Sequence, residues 1–453
     1  MDHHWLLTLS ILVACNATPP DASTPPIAPP APVAETAPTA WQPATAPTGA
    51  PALPVAVEFE GAPPTNILIL SVDTARWDAW GRYGDYQTPW VDARMEEGVV
   101  LDNHWSCSNW TYPSMLCALG GATVHEIGSN GIDMGVMKTS HGFLPKHLAD
   151  QGYAYGLVSA NMVLDPVNGM FDGAVSSVIS HQEPAEGVVA AGHEFLDGAT
   201  GPWALHLHFI EPHQPYLVSD LDTEAYAQLP DLDYDLTSIY EYDRLKEDLP
   251  YMTPEEAAVV REHILFRYQS DVEQLDRALS QMWTELDARG ALDDTLVLFF
   301  TDHGEELFDH GDFGHAGTLY RDENGAAAFF WSKNIVSAAS KTLTSHIDLA
   351  PTLLDSLGLP ALPDASGVPM HEVPAERFIV GVRPDTERAS RVVATAPDGV
   401  RLHYWLGGLS ELVAIDQQGI ERGGYVPEAR ADELLEFLWP TIEQIAEDMD
   451  QEP

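Results

Sequence analysis

Positive charge is what this sequence has least of. Its 453 residues carry 21 Lys and Arg against 69 Asp and Glu, a formal net charge of -48. Polyanions are held mainly by Lys and Arg that displace condensed counterions, so nucleic acid is excluded as a partner and anionic lipid surfaces are repelled. An anionic substrate then needs local positive charge from elsewhere, and a bound metal ion is the natural source. Cysteine is scarce too, with Cys15, Cys107 and Cys117 the complete set. A long apolar run is also missing: the stretch from Trp5 to Ala14 is too short to span a bilayer. No internal repeat is present. Hydrophobic residues nevertheless make up 45% of the chain, enough for a sizeable core in one large or two ordinary domains.

The short apolar run suits the core of a signal peptide, although no Lys or Arg precedes it. It ends in Leu12-Val13-Ala14-Cys15, which resembles a bacterial lipobox, so residues 1–15 are expected to be a lipoprotein signal with Cys15 as the lipid-anchored residue. The expected location is outside the cytoplasm, periplasmic or at the cell surface, with no transmembrane helix in the mature protein. Cys107 and Cys117 would then sit in an oxidising compartment, where a disulfide between them is open. Residues 16–64 are Pro, Ala and Thr with almost no periodicity, a composition that cannot bury a core and reads as a disordered tether. A flexible chain of that length spans on the order of 35 Å.

Folded sequence is expected from Thr65, where NILILSVD has the continuous apolar character of a strand buried on both faces. Further strands are expected at Tyr153 to Ser159, Trp203 to Ile210, Thr295 to Thr301 and Ala326 to Trp331. A long helix opens at the capping-box signature Thr253-Pro254-Glu255-Glu256 and runs to Arg289, before Gly290. Alternating strands and helices imply an α/β fold, a mainly parallel sheet sandwiched by helices, over residues 65–377. Residues 378–453 read as a small antiparallel subdomain with a final helix from about Pro427.

Ligands of open α/β sheets gather at the carboxyl ends of strands. Two strands end in residues able to bind a metal: Asp73 closes NILILSVD, and Asp302-His303 closes TLVLFFT. Two carboxylates and an imidazole suit Zn²⁺ or Mn²⁺, with Ca²⁺ the poorer match. Thr111, in NWTYPSMLCALGG, stands where a helix begins, and the simplest expectation is that its hydroxyl caps that helix.

The order of SVDTARWDAWGRYG, NWTYPSMLCALGG, HFIEPHQPY, FFTDHGEELFDHGDFGHAG and HIDLAPTLLDSLGLP resembles the sulfatase-like branch of the alkaline phosphatase superfamily, from about Thr65 to Leu438. The resemblance implies one divalent metal held by Asp73, Asp302 and His303, and Thr111 as both nucleophile and metal ligand. It also implies that His213 and His315 contact substrate oxygens or protonate a leaving group, and that Asn130 is a polar substrate contact. Glu305 and His310 are expected to make structural hydrogen bonds, and His206 and His208 to lie in a buried strand behind the site. The departures point the same way. Sulfatases carry Cys or Ser, oxidised to formylglycine, within Cys/Ser-x-Pro-x-Arg, whereas this chain reads Thr111-Tyr112-Pro113-Ser114-Met115. Asp73-Thr74 and Asp302-His303 replace the family's frequent Asp-Asp and Asp-Asn, as in relatives that act on phosphodiesters or phosphonates or transfer phosphoryl-linked groups.

The resulting expectation is an ester hydrolase with a small anionic substrate, most naturally a phosphodiester or phosphonate, with phosphotransfer as an extension. Two alternatives stand beside it: a sulfatase working without formylglycine, and a catalytically silent binding protein on the same fold.

Overall fold

The computed structural model describes residues 55–129, 131–132, 141–384, 391–406, 409–415, 421–423 and 428–451. Its centre is an eight-stranded sheet. Strand Asn66–Val72 lies in the middle, paired in parallel with Trp203–Phe209 on one side and Thr295–Thr301 on the other. Ala154–Ser159 and then Ala174–Ile179 extend the parallel run to one edge. Towards the other edge Ala328–Trp331 runs antiparallel to Thr295–Thr301, followed by Val99–Leu101 and Ala338–Ser340. The fold is therefore α/β with a mixed, mostly parallel sheet. The antiparallel direction of Ala328–Trp331, the edge strand Ala174–Ile179 and the short strands Val99–Leu101 and Ala338–Ser340 are additions to the expected set. The second is hard to see in sequence because its AVSSVI run is largely solvent-exposed.

Side chains alternate across a strand, and this divides the core cleanly. Ile67 and Ile69 face a cluster built from helices Thr111–Gly120, Leu144–Asp150 and Leu349–Ser356. Leu68, Leu70 and Val72 face the opposite cluster, with helices Pro89–Glu97, Ala185–Gly198 and Pro254–Ala288. The long helix begins as expected, with the Thr253 hydroxyl accepting from the Glu256 N–H and the Glu256 carboxylate accepting from the Thr253 N–H. Beyond the main sheet, strands from Ile379–Arg383 to Glu421–Gly423 form a five-stranded antiparallel sheet. Helix Glu428–Gln451 covers it, burying Leu434, Leu438 and Ile442 against Val392, Ala394 and Leu402.

Core packing begins before Thr65. Val55, Val57 and Phe59 pack on the core, and Phe59 bridges Ile335, because apolar residues alternate here with polar ones and offer one face to the sheet. The rest of the expected tether, the leader and Cys15 lie outside the described residues. Among the described residues no helix is long and apolar enough to cross a membrane.

Candidate active site and metal centre

The alternation that sorts the core also aims the polar groups. Ser71 and Asp73 share the parity of Ile67 and Ile69, and Asp302 shares that of Leu296, Leu298 and Phe300, so these side chains are directed to the face covered by helix Thr111–Gly120. The result is a cluster of Asp73, Asp302 and His303 that is fully buried. His303 Nε2 lies 3.6 Å from Asp73 Oδ1 and 3.7 Å from Asp302 Oδ1. The Thr111 hydroxyl donates to Asp73, at 3.4 Å from Oδ2 and 3.5 Å from Oδ1.

These groups fit a divalent cation on three counts. Ligand atoms sharing one ion at bond lengths near 2.1 Å lie about 3.0–3.5 Å from each other, close to the spacings here. Asp302 Oδ2 and His303 Nε2 are buried yet make no hydrogen bond, a state that costs free energy until something pairs them. The His303 tautomer is also set for ligation, because Nδ1–H donates to the Gly304 carbonyl at 2.9 Å and leaves the Nε2 lone pair facing the carboxylates.

The electrostatics express the same strain. Burial opposes charge on Asp73, but the nearby imidazoles of His213, His208 and His303 and the His208 hydrogen bond hold it below the usual carboxylate range. Burial, then the charge of Asp73, push Asp302 well above that range, against N–H bonds from His303 and Thr74. Burial and the neighbouring His315 lower His303 to about 3, so its ring is neutral at ordinary pH. Thr74, at a φ of 51°, takes a left-handed conformation that turns its N–H to Asp302 Oδ1 at 3.1 Å.

His213 and His315 stand over the cluster, their rings 5.0 Å apart, with His315 4.8 Å from His303. His213 Nδ1–H donates to the Gln214 carbonyl at 2.7 Å, leaving Nε2 as an acceptor. His315 Nδ1 meets the Glu305 carboxyl at 3.3 Å. Burial raises Glu305 to about 8, against the influence of His213 and Lys246, and burial followed by His213 lowers His315 to about 3. Glu305 thus orients a residue at the site, in keeping with its expected hydrogen-bonding role. Asn130 lies outside the described residues.

One expectation is corrected. Thr111 does not cap its helix: the helix starts at Thr111, Trp110 occupies the cap position, and no side chain caps it. With the first helical turn beginning at Thr111 itself, its hydroxyl is free to turn to Asp73. The disulfide left open by the sequence is present, joining Cys107 to Cys117 across the loop that carries Thr111.

The sequence reading missed Asn161. Its Nδ2 donates to Asp73 Oδ2 at 2.7 Å and to Thr111 Oγ1 at 3.4 Å. The available signal was a polar residue two positions beyond the end of strand Ala154–Ser159. Ser71 was also missed. It links His206 and His208 in a directional chain: Tyr155 O–H to His206 Nδ1 at 3.2 Å, His206 Nε2–H to Ser71 Oγ at 2.8 Å, Ser71 O–H to His208 Nδ1 at 2.8 Å, and His208 Nε2–H to Asp73 Oδ2 at 3.3 Å. Each member has one role that satisfies its neighbours, so the chain fixes both tautomers and the Asp73 carboxylate.

Comparison with known proteins agrees with this architecture. The Sulfatase family model matches residues 65–359. Among curated proteins, the multifunctional alkaline phosphatase superfamily protein PehA of Trinickia caryophylli is 26% identical over 191 residues, 36% of this chain and 36% of that protein. Choline-sulfatase of Rhizobium meliloti is 25% identical over 169 residues, covering 36% of this chain and 33% of the relative. The chain thus matches only about a third of the length of these relatives. Among solved structures, a protein in complex with its substrate D-glucosamine-2-N,6-O-disulfate has a TM-score of 0.70 at 17% identity, over 86% of this chain and 100% of that one. The phosphonate monoester hydrolase of Silicibacter pomeroyi has a TM-score of 0.63 at 17% identity, over 85% of this chain and 96% of that one.

Proposed function

Because the chain belongs to the sulfatase family, within the alkaline phosphatase superfamily, we propose that it is a hydrolase of phosphodiesters or phosphonate esters in which Thr111 is the nucleophile. The observation that carries this reading is the contact of the Thr111 hydroxyl with Asp73 at the edge of the buried Asp73, Asp302 and His303 cluster. A divalent cation bound by these residues, Zn²⁺ or Mn²⁺ before Ca²⁺, supplies positive charge that makes a neighbouring hydroxyl more acidic and offsets the charge of an anionic ester.

The chain's own residues do the rest. Asp73 accepts the Thr111 hydroxyl and Asn161 donates to both, so the Thr111 oxygen is held in one place before substrate arrives. Its helix contributes the positive end of its dipole to the same point. As the Thr111 oxygen attacks phosphorus its proton passes to the neutral ring of His213 or His315, and the same ring delivers that proton to the alkoxide as the bond to the leaving group breaks. Water, or an acceptor alcohol, then cleaves the phosphoryl-Thr111 ester.

Phosphorus is favoured over sulfur on two grounds. Thr lacks the second hydroxyl by which formylglycine expels sulfate. The residue at the family's Arg position, Met115, is buried in the apolar core and offers no charge to a sulfate. Relatives of both kinds exist, a choline-sulfatase and a phosphonate monoester hydrolase, so the test is a panel of nitrophenyl phosphomonoester, phosphodiester, phosphonate and sulfate substrates, each with Mn²⁺, Zn²⁺ and Ca²⁺. The proposal expects phosphodiester or phosphonate turnover to exceed sulfate turnover, and is overturned if the sulfate ester is the best substrate.

Export as a lipoprotein is part of the same proposal. The Leu12-Val13-Ala14-Cys15 sequence supports it, and so does a disulfide in a chain with so few cysteines. Mature protein from the native host should begin at Cys15 and partition into detergent; an unmodified Met1 terminus would contradict it.

A further inference from the structure

A second group of His and carboxylate side chains lies on the outer side of the loop that carries Glu305. Glu306 belongs to the short strand Glu306–Leu307, which pairs with Phe313–Gly314 and leads directly to His315. Asp322 sits in the helical turn Arg321–Asn324. Backbone bonds from the Gly304 N–H to Glu323 O at 2.8 Å and from the Glu305 N–H to Asp322 O at 2.9 Å bring the two segments together. Only glycine permits this approach, since a Cβ on Gly304 would lie 1.9 Å from the Asp322 carbonyl oxygen.

Above this junction His310 Nδ1 lies 3.0 Å from Glu306 Oε2 and 3.6 Å from Asp322 Oδ2. One ligand atom from each residue falls within 4.8 Å of the others, and no other described cluster of this kind exists apart from the Asp73 centre. Glu306 and Asp322 are 3% and 5% exposed. Asp322 Oδ2 accepts no hydrogen bond although it is buried and directed at His310. Arg76, whose charge reaches Asp322, is committed by its hydrogen bonds to Asp78, Asp309 and the Glu305 carbonyl. His310 is oriented by stacking on Tyr320 at 3.9 Å, and with 32% of its side chain exposed it leaves a water-accessible side.

We infer that Glu306, His310 and Asp322 form a second binding site for a divalent transition metal ion, separate from the Asp73 centre, with water completing the coordination. The spacings of 3.0 and 3.6 Å are those of ligands sharing one ion at about 2.1 Å. Two carboxylates and an imidazole select Zn²⁺ or Mn²⁺ rather than Ca²⁺. An ion here ties strand Glu306–Leu307 to the turn bearing Asp322, and so braces the hairpin that positions His315.

The test uses the full chain without an affinity tag, stripped of metal, saturated with Zn²⁺ and passed through a desalting column before metal is counted by mass spectrometry. Two Zn²⁺ per chain are expected for the parent. Asp302→Asn, which damages the Asp73 centre, should retain one, and Asp322→Asn or Glu306→Gln should also retain one. The double variant Asp302→Asn with Asp322→Asn should retain none. In thermal melts Zn²⁺ should stabilise Asp302→Asn but not the double variant. If Asp322→Asn does not fold, His310→Gln at the partly exposed ring replaces it. The inference is overturned if the parent binds a single Zn²⁺, or if the Glu306, His310 and Asp322 substitutions leave the second ion in place.

Discussion

At the scale of single residues, Thr111 separates two kinds of chemistry that sequence had merged. Its position at a helix start suggested a cap, but the hydroxyl serves Asp73 and the helix begins with Thr111 already inside it. Substitution should therefore affect turnover far more than folding. Thr111→Ser keeps an oxygen on the same carbon and should keep measurable activity. Thr111→Ala and Thr111→Asn remove the transferable hydroxyl and should lower kcat by several orders of magnitude, with a loss of stability of less than about 1 kcal/mol because no cap is lost. Steady-state kinetics on the best panel substrate, beside thermal melts, check both parts. Asp73, Thr111, Asp302 and His303 were legible because each stands at a strand or helix terminus in a recognisable motif. Asn161 was not, since a lone Asn after a strand carries no pattern of its own, and its contact with Asp73 exists only once strand Trp203–Phe209 has joined the strands preceding both residues into one sheet.

At the scale of elements, the apolar runs announced the central strands and alternation then decided which polar groups could meet. His206 and His208 read as buried residues behind the site, and the parallel register of Ile69 with His206 and Ser71 with His208 turns them into a chain ending on Asp73. Ser71→Ala should strand two buried ring nitrogens, costing about 1–3 kcal/mol. It should also weaken Zn²⁺ binding at the Asp73 centre by about tenfold or more, as expected when a partner behind a ligand is lost. Melts and a Zn²⁺ titration read the two effects separately. Helix Ala185–Gly198 supplies a pH prediction. Glu211 accepts from the Ala185 N–H at 2.7 Å while its other oxygen goes unpaired, and burial raises it from 4.5 to about 7. The folded chain then holds a proton that the unfolded chain releases, so this group's contribution to stability is full below pH 4.5 and declines as pH rises through 7. Glu211→Gln should be most stabilising relative to the parent above pH 7 and least below pH 4.5, as measured by urea unfolding across that range.

At the scale of the whole molecule, composition forecast a large α/β core, and the antiparallel subdomain behind it was announced by its short strands and final helix. Strand direction at the far edge was not legible, because a short apolar run fits either direction and the choice is made by the connections around it. The Cys107 to Cys117 disulfide was likewise left open, since two cysteines in an apolar context serve equally well as free core residues. It closes a loop around Thr111, so replacing both cysteines with Ser should lower global stability by about 2–3 kcal/mol through greater freedom of the unfolded chain. The reduced protein should remain folded, since Cys107 and Cys117 are only two of the many buried side chains in the core cluster they belong to. Unfolding curves of the parent and the double Ser variant provide the check.

The central claim is that the Thr111 oxygen becomes covalently bonded to phosphorus during turnover. The most direct measurement is rapid acid quench of the metal-loaded enzyme with the best phosphodiester or phosphonate substrate, followed by mass spectrometry of the peptide containing Thr111. The account predicts a phosphoryl or phosphonyl adduct on Thr111, absent from Thr111→Asn. An unmodified Thr111 throughout turnover, together with a Thr111→Asn variant that works at the parent rate, would contradict it.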